Sequence, residues 1–292
     1  MHGGCITALA IFCGWVASAG GTGSSAAQRA LDGALSGTSA VAVVLDGQDG
    51  RLIATERTKE AGDLASAPGS TLKPLFLTTA LLQGRARAET TVVCHGNLRI
   101  AGRDLACTHP RDVNVLDAER ALAYSCNAWF ANLATRFTRD QAADVLREYG
   151  LGSRPGLVGD ESPGLVRAPA GTAQLQLFVL GLEDVTVTPA QLARAYFMLG
   201  RNLGREPVVR RGLEGSIAYG MSHNAATAGM SIAGKTGTAS DAGKVWTHGW
   251  FAGIALRGEE RVVLVIYVPH GNGADAAGLA HLFFEMWGRT AG

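Results

Sequence analysis

Three short segments carry residue types from which an acyl-transfer site could be built. In residues 66–76, SAPGSTLKPLF, Ser70 and Lys73 lie three apart at the start of an apolar helical pattern. Residues so spaced on a helix share a face, so the Lys73 amine can reach the Ser70 hydroxyl. A serine oxygen is a poor nucleophile until a base takes its proton. Lysine can be that base when burial or a neighbouring cation lowers its pKa, whereas arginine stays protonated. The chain has only four lysines against 22 arginines, and one stands here. A capping serine beside a surface lysine is the bland reading of the same four residues.

The second segment, AYSCNAWF, holds Ser125 and Asn127; alone, its serine reads as a helix cap. The third, AGKTGTAS, places Lys235, Thr236, Gly237 and Thr238 in succession. On a strand, Lys235 and Gly237 would share one face, and Thr236 and Thr238 the other. An edge strand of this kind could bind a carboxylate and present backbone N–H groups, with Gly237 leaving room for close approach. Each segment is short enough to arise by chance. The ordered set Ser-x-x-Lys, Ser-x-Asn, Lys-Thr-Gly is the set shared by serine β-lactamases and penicillin-binding proteins.

These segments need elements to hold them. Residues 40–45 and 51–55 are β-rich runs around a Gly- and Asp-rich turn, a hairpin signal. Helical patterns follow over 70–83, 117–123, 126–137, 140–149 and 189–199, with Gly84 and Gly150 as stops. Residues 152–171 are rich in Gly and Pro and read as a long surface loop. HGWFAGIAL and RVVLVIYVP read as consecutive strands, and ADAAGLAHLFFEMW as a closing helix. Strands at both ends with helices between predict a sheet built from the two chain ends and a helical insertion. No internal repeat is visible.

The 292 residues suffice for one large domain or two small ones with a real core, and nearly half are apolar. The formal net charge is +1 with no basic run, which argues against nucleic-acid binding. Residues 6–16 form an apolar stretch too short to span a membrane, followed by Ala17-Ser18-Ala19. This predicts a secretory signal over 1–19, although no Lys or Arg precedes it. Residues 20–28, rich in Gly, Ser and Ala, read as a linker with a short helix after it, which puts the catalytic domain at 39–292.

Beyond the signal stand Cys94, Cys107 and Cys126. Cys94 and Cys107 bracket HGNLRIAGRDLA, which reads as a small hairpin. A disulfide between them would stabilise by roughly 3 kcal/mol through loop closure. Two free thiols are the alternative. A zinc site with His95 or His109 is a third, but the spacing matches no familiar zinc pattern, so no metal is assigned. Cys126 reads as a packing residue, as do Trp250 and Phe251, while Trp246 could line a cleft.

Taken together, the chain resembles the transpeptidase domain of penicillin-binding proteins over about residues 39–287. VAVVLDGQDGRLIA is similar to the family's opening hairpin, APGSTLKPL to its nucleophile segment and SCNAWFANLA to its second motif. DVTVTPAQLARAYFML is similar to the helix after a Thr-Pro, and AGKTGTA with HGWFAGIA to the closing strands. The resemblance implies an α/β (α+β) fold, with an antiparallel sheet flanked by helices, an all-helical lobe and an active site between them. It implies Ser70 as acylated nucleophile, Lys73 as general base and Ser125 as proton relay to the leaving amine. Asn127 would bind the donor amide, Lys235 would supply positive potential, and Thr236 and Thr238 would hold the substrate carboxylate. The backbone N–H groups of Ser70 and Thr238 would form the oxyanion hole.

The implied reaction is D,D-transpeptidation or carboxypeptidation of D-Ala-D-Ala stem peptides of peptidoglycan, with no cofactor. β-Lactams would acylate the same serine, and cell-wall synthesis proteins are the implied protein partners. A pedestal or glycosyltransferase domain has no counterpart in these residues, so the expectation is a nearly bare, exported catalytic domain. A β-lactamase and a non-catalytic β-lactam sensor are the competing readings. Against the first, the 150–172 loop holds no Glu-x-x-x-Asn: Glu161 is present, but Pro163 follows closely and no asparagine stands four residues after it.

Overall fold

The computed structural model describes Met1 and residues 20–289. The signal-peptide expectation for 1–19 therefore falls outside the described residues.

Five strands form one antiparallel sheet: β1 (Val41–Asp46), β2 (Leu52–Glu56), β3 (Ser231–Ala239), β4 (His248–Arg257) and β5 (Glu260–Val268). Their order is β2-β1-β5-β4-β3, so the N-terminal hairpin joins the C-terminal meander through the β1–β5 pair. That pair aligns Val43 with Val265, and both strands are apolar on both faces. Continuous apolar runs of this kind mark strands covered on two sides. Strand β3 is an edge, paired only with β4.

Alternation splits the sheet's side chains between two cores. Ala42, Val44, Phe251, Leu264 and Ile266 pack with α1 (Gly20–Leu35) and the C-terminal helix. Val41, Val43, Trp250, Ala252, Val265 and Tyr267 face the larger core, which continues into the helical lobe. The linker expectation for 20–28 is corrected here. Those residues lie in α1, and Ala27, Ala30, Leu31 and Ala34 are buried against the sheet. Small residues spaced three and four apart let this helix sit close, a pattern that composition alone reads as flexible.

The lobe is built from α2 (Lys73–Leu82), α3 (Ala118–Ala123), α4 (Asn127–Ala134), α5 (Arg139–Glu148) and α6 (Thr172–Val179). Helix α7 (Pro189–Gly200) bridges lobe and sheet, α8 (Pro207–Ala218) packs on α3 and β3, and α9 (Gly273–Arg289) closes the second core. Pro189 at the first turn and the Thr188–Gln191 capping box fix the start of α7, and an equivalent Thr138–Gln141 box starts α5. Helices α6 and α8 are additions to the sequence expectation. In the 152–171 loop, Leu165–Val166 pairs with Val185–Thr186.

Candidate active site

Ser70 lies on a single 3₁₀ turn, Gly69–Leu72, that runs directly into α2. This turn sits against the edge strand. Gly69 has φ +56°, and a Cβ there would come 2.9 Å from the Thr238 carbonyl oxygen. From the other side, a Cβ on Gly237 would come 2.5 Å from the Pro68 carbonyl oxygen and 3.4 Å from the Ser70 nitrogen. Two glycines thus allow the nucleophile turn and the Lys-Thr-Gly strand to touch backbone to backbone.

The turn is also held from behind. The Ala67 carbonyl accepts from His248 Nε2 at 2.8 Å and Trp250 Nε1 at 3.0 Å, both on β4. The carbonyl cannot donate, so the proton of neutral His248 is on Nε2. Asp241 Oδ1 accepts from the Ala67 amide at 3.0 Å, and Asp241 Oδ2 from the Ser66 hydroxyl at 3.2 Å. From the far side, Tyr196 on α7 donates to the Thr71 carbonyl at 2.9 Å. None of these supports was assigned to the site from sequence. The nearest signal was His248 and Trp250 standing just beyond the third motif; both are buried, as is Phe251. Trp246 instead is exposed over two-fifths of its surface, with Lys244 and His270 against its ring.

Lys73 begins α2 and its side chain has no exposed surface. Its Nζ is 2.7 Å from the Ser125 carbonyl oxygen, 2.7 Å from Asn127 Oδ1 and 3.1 Å from Ser125 Oγ. An ammonium can donate to all three. A neutral amine can donate to the two carbonyl oxygens and keep its lone pair for a hydroxyl. Burial lowers the Lys73 pKa to about 8, although Cys126 and Cys107 pull it upward. About one molecule in ten is then neutral at pH 7, far more than for a solvated lysine.

Ser125 takes a left-handed backbone, φ +55°, between α3 and α4. Non-glycine residues adopt this rarely, at a cost of order 1 kcal/mol or more. It turns the Ser125 carbonyl and hydroxyl together toward Lys73. Asn127, the first residue of α4, is fixed at both ends of its amide: Oδ1 accepts from Lys73, and Nδ2 donates to the Leu105 carbonyl at 3.1 Å. The first and second motifs are therefore one hydrogen-bonded unit.

The third motif faces this unit. Lys235 is fully buried, and its pKa lies well below the ordinary value, first through burial and then through repulsion from Lys73. Its Nζ donates to the Thr236 carbonyl at 3.1 Å. An anion brought alongside would favour the charged form of both lysines. Lys235 and Gly237 share the sheet face of Trp250 and Ala252, their β4 partners, so the expected alternation holds.

The Thr236 hydroxyl, expected to meet a substrate carboxylate, is engaged elsewhere. It donates to the Met221 carbonyl at 3.1 Å and accepts from the Ser222 hydroxyl at 3.3 Å. Thr238 is exposed, and its hydroxyl accepts from the Gly273 amide at 2.9 Å. The Thr236 amide donates to Ser222 Oγ, away from β4. Residues two apart on a strand point their amides the same way, so the Thr238 N–H projects from the open edge. The Ser70 N–H, at the start of a helix, likewise has no acceptor within it.

Glu161 gives no general base to this cleft. Its carboxylate accepts from the amides of Gly156, Leu157 and Val158 at 2.7–2.9 Å and is occupied in closing its own loop.

Of the readings open for Cys94 and Cys107, the disulfide is not formed; all three described cysteines are free. The hairpin between them does form, with Arg99–Ile100 against Arg103–Asp104 and positive φ at Ala101 and Gly102. Cys107 Sγ instead lies 3.8 Å from Cys126 Sγ, in the second motif. A disulfide inferred from chain spacing within one hairpin could not anticipate a third thiol delivered from α4.

Comparison with known proteins places this arrangement. The family model described as the penicillin binding protein transpeptidase domain matches residues 40–205 and 206–283. The chain is 26% identical over 284 residues to the peptidoglycan D,D-transpeptidase MrdA of Acinetobacter baumannii, covering 75% of this chain and 42% of that protein. It is 29% identical over 236 residues to the peptidoglycan D,D-transpeptidase FtsI of Escherichia coli, covering 69% and 39%. The chain thus spans about two-fifths of the length of these relatives. Among solved structures, the transpeptidase domain of Burkholderia pseudomallei penicillin-binding protein 3 superposes with a TM-score of 0.76 at 20% identity, covering 91% of this chain and 92% of that one. A peptidoglycan glycosyltransferase from Burkholderia ambifaria gives 0.75 at 20% identity, covering 92% and 93%. These two likenesses bear on the fold.

Proposed function

The chain belongs to the penicillin-binding protein transpeptidase family, and from that premise we propose that it is a serine D,D-transpeptidase or carboxypeptidase acting on D-Ala-D-Ala stem peptides of peptidoglycan. The observation that carries this reading is the environment of Lys73: a buried amine with a pKa near 8, one helical turn after Ser70, bonded to both polar residues of the second motif.

In the proposed reaction, neutral Lys73 takes the proton of Ser70 Oγ as that oxygen adds to the carbonyl of the penultimate D-alanine. The developing oxyanion is held by the Ser70 and Thr238 amides; losing one such donor costs about 3–4 kcal/mol at comparable sites. The proton passes from Lys73 through the Ser125 hydroxyl to the leaving nitrogen, and the terminal D-alanine departs with a neutral amine. The peptidyl ester on Ser70 is resolved by the amine of a second peptide or by water: Lys73 takes the proton that the attacking group gives up and passes it to Ser70 Oγ as the ester bond breaks, which restores the free serine and the neutral amine. Asn127 orients the donor amide. Lys235 and Thr238 attract the terminal carboxylate, with Thr236 joining them if its hydroxyl turns from the Met221 carbonyl. A β-lactam would acylate the same serine, and its tethered amine would keep the ester in place. Export to the cell-wall compartment, with cell-wall synthesis proteins as neighbours, accords with such a substrate. Among the described residues no helix is long and apolar enough to cross a membrane.

Glu161 held by three loop amides favours slow hydrolysis over a β-lactamase. The test combines intact-mass analysis with labelled penicillin and crosslinking of a donor depsipeptide to a D-amino-acid acceptor. A persistent single adduct with acceptor-dependent product is expected. Rapid loss of the adduct would identify a β-lactamase, and a stable adduct without any turnover of donor would identify a sensor.

A further inference from the structure

Behind the second motif, one atom from each of Cys94, Cys107, His109 and Cys126 lies within 4.8 Å of all the others. Cys94, His109 and Cys126 are buried and Cys107 is half-buried. We propose that these four residues form a tetrahedral site for a thiophilic divalent cation, zinc by preference, that fastens the 94–109 hairpin to the N-terminus of α4.

Three observations carry it. The first is His109. Its Nδ1 is 3.1 Å from the Pro110 carbonyl, which can only accept, so Nδ1 bears the proton. Nε2 is then a bare lone pair. It is buried with no hydrogen-bond partner, in a side chain 8% exposed. A buried polar atom without a partner is costly and calls for a reason. An imidazole that donates one N–H to a carbonyl and turns the other nitrogen inward is the usual dress of a metal ligand.

The second is spacing. Two sulfurs each at about 2.3 Å from a tetrahedral zinc stand about 3.8 Å apart. Cys107 Sγ and Cys126 Sγ are 3.8 Å apart, far beyond a disulfide bond. Three sulfurs and one nitrogen make up a known structural zinc set, closed to water and substrate.

The third is need. Residues 95–114 include only short strands and many exposed side chains, with little apolar surface to fold on. Yet the Leu105 carbonyl in this segment holds Asn127, and Cys126 is the residue between Ser125 and Asn127. Segments too small for a core are commonly stapled by a metal. Binding would displace the three thiol protons to solvent and occupy the Nε2 lone pair, leaving the Nδ1–H on Pro110. His95, also near the pair in sequence, is outside the cluster.

The test is metal content of the full chain, purified reduced and without chelator. About one zinc per chain, surviving dialysis against metal-free buffer, is expected. Substitution with Co²⁺ should give thiolate-to-metal charge transfer and tetrahedral ligand-field bands. His109→Ala or Cys94→Ser should weaken Co²⁺ binding at least tenfold. If these variants misfold, the wild-type chain decides: chelator should lower its thermal midpoint, and Zn²⁺ or Cd²⁺, but not Mg²⁺, should restore it. Three freely titrating thiols with no retained metal would overturn the proposal, as would a mass lower by two hydrogens with Cys107 joined to Cys126.

Discussion

The two walls of the cleft are held in place by different means. The Lys-Thr-Gly wall is backbone: β3 is zipped to β4 over nine residue pairs and packed on both faces. The opposite wall, Ser125 to Asn127, is held by side chains. Lys73 reaches across to it, Asn127 reaches to Leu105, and Cys126 sits in a thiol cluster. A wall made of ladder hydrogen bonds tolerates most side-chain changes but not an intruding atom. A wall made of side-chain bonds fails when one partner is lost.

The largest test of that contrast is Lys73. Replacing it by Ala removes the base and the tie between the first two motifs. Acylation by a fluorescent penicillin should slow by between about 10² and 10⁴-fold. Lys73→Arg should be nearly as slow, because a guanidinium does not deprotonate. A fast Arg variant would mean that position 73 serves by charge alone.

Next is Gly237→Ala, which attacks the backbone wall in the way it should tolerate least. The added methyl meets the Pro68 carbonyl and separates β3 from the nucleophile turn. Displacement of the Thr238 amide by about 1 Å would slow acylation on the order of a hundredfold. An unaffected rate would show that the strand can yield at this point.

Smaller is the pH effect. The folded pKa of Lys73 is lowered to about 8, so its neutral form grows as pH rises through that value. The acylation rate should climb about tenfold from pH 7 to 9 and then level off. A rate already flat at pH 7 would place the base elsewhere.

The smallest effect belongs to Trp250→Phe. It takes away one of two donors to the Ala67 carbonyl and leaves His248 in place. A loss of about 1 kcal/mol in urea unfolding is expected, with acylation within a fewfold of normal. A large loss of rate would mean that the rear clamp, not the strand, sets the position of Ser70.

Sequence legibility follows the same divide. Strands, capped helices and the three motifs are local patterns, and most element ends are readable to within a residue or two: α7 begins at Pro189 and α2 ends before Gly84, whereas the pattern over 126–137 is helix only to Ala134. Helix α8 escapes the sequence reading although Val209, Leu213 and Ile217 recur every fourth residue, because Gly212 and Gly215 stand inside that repeat and lower its helix propensity. The short helix expected after the linker is the C-terminal part of α1, and only its Gly- and Ser-rich start over 20–28 hides as linker. What joins distant segments was not readable at all. The Ala67 clamp comes from strand residues more than 180 positions later, and the Thr236 hydroxyl is taken by Met221 and Ser222. The thiol cluster needs α4 to bring Cys126 to the hairpin. Such partners are set by tertiary packing, to which periodicity is blind.

The central claim is that Ser70 is the nucleophile served by Lys73. Peptide mapping of the penicillin-treated chain, with Ser70→Ala alongside, tests it most directly. The account predicts a single acyl modification on Ser70 and none in the Ala variant, which should remain folded. Covalent capture of penicillin by the Ala variant, or an adduct on any other residue, would contradict it.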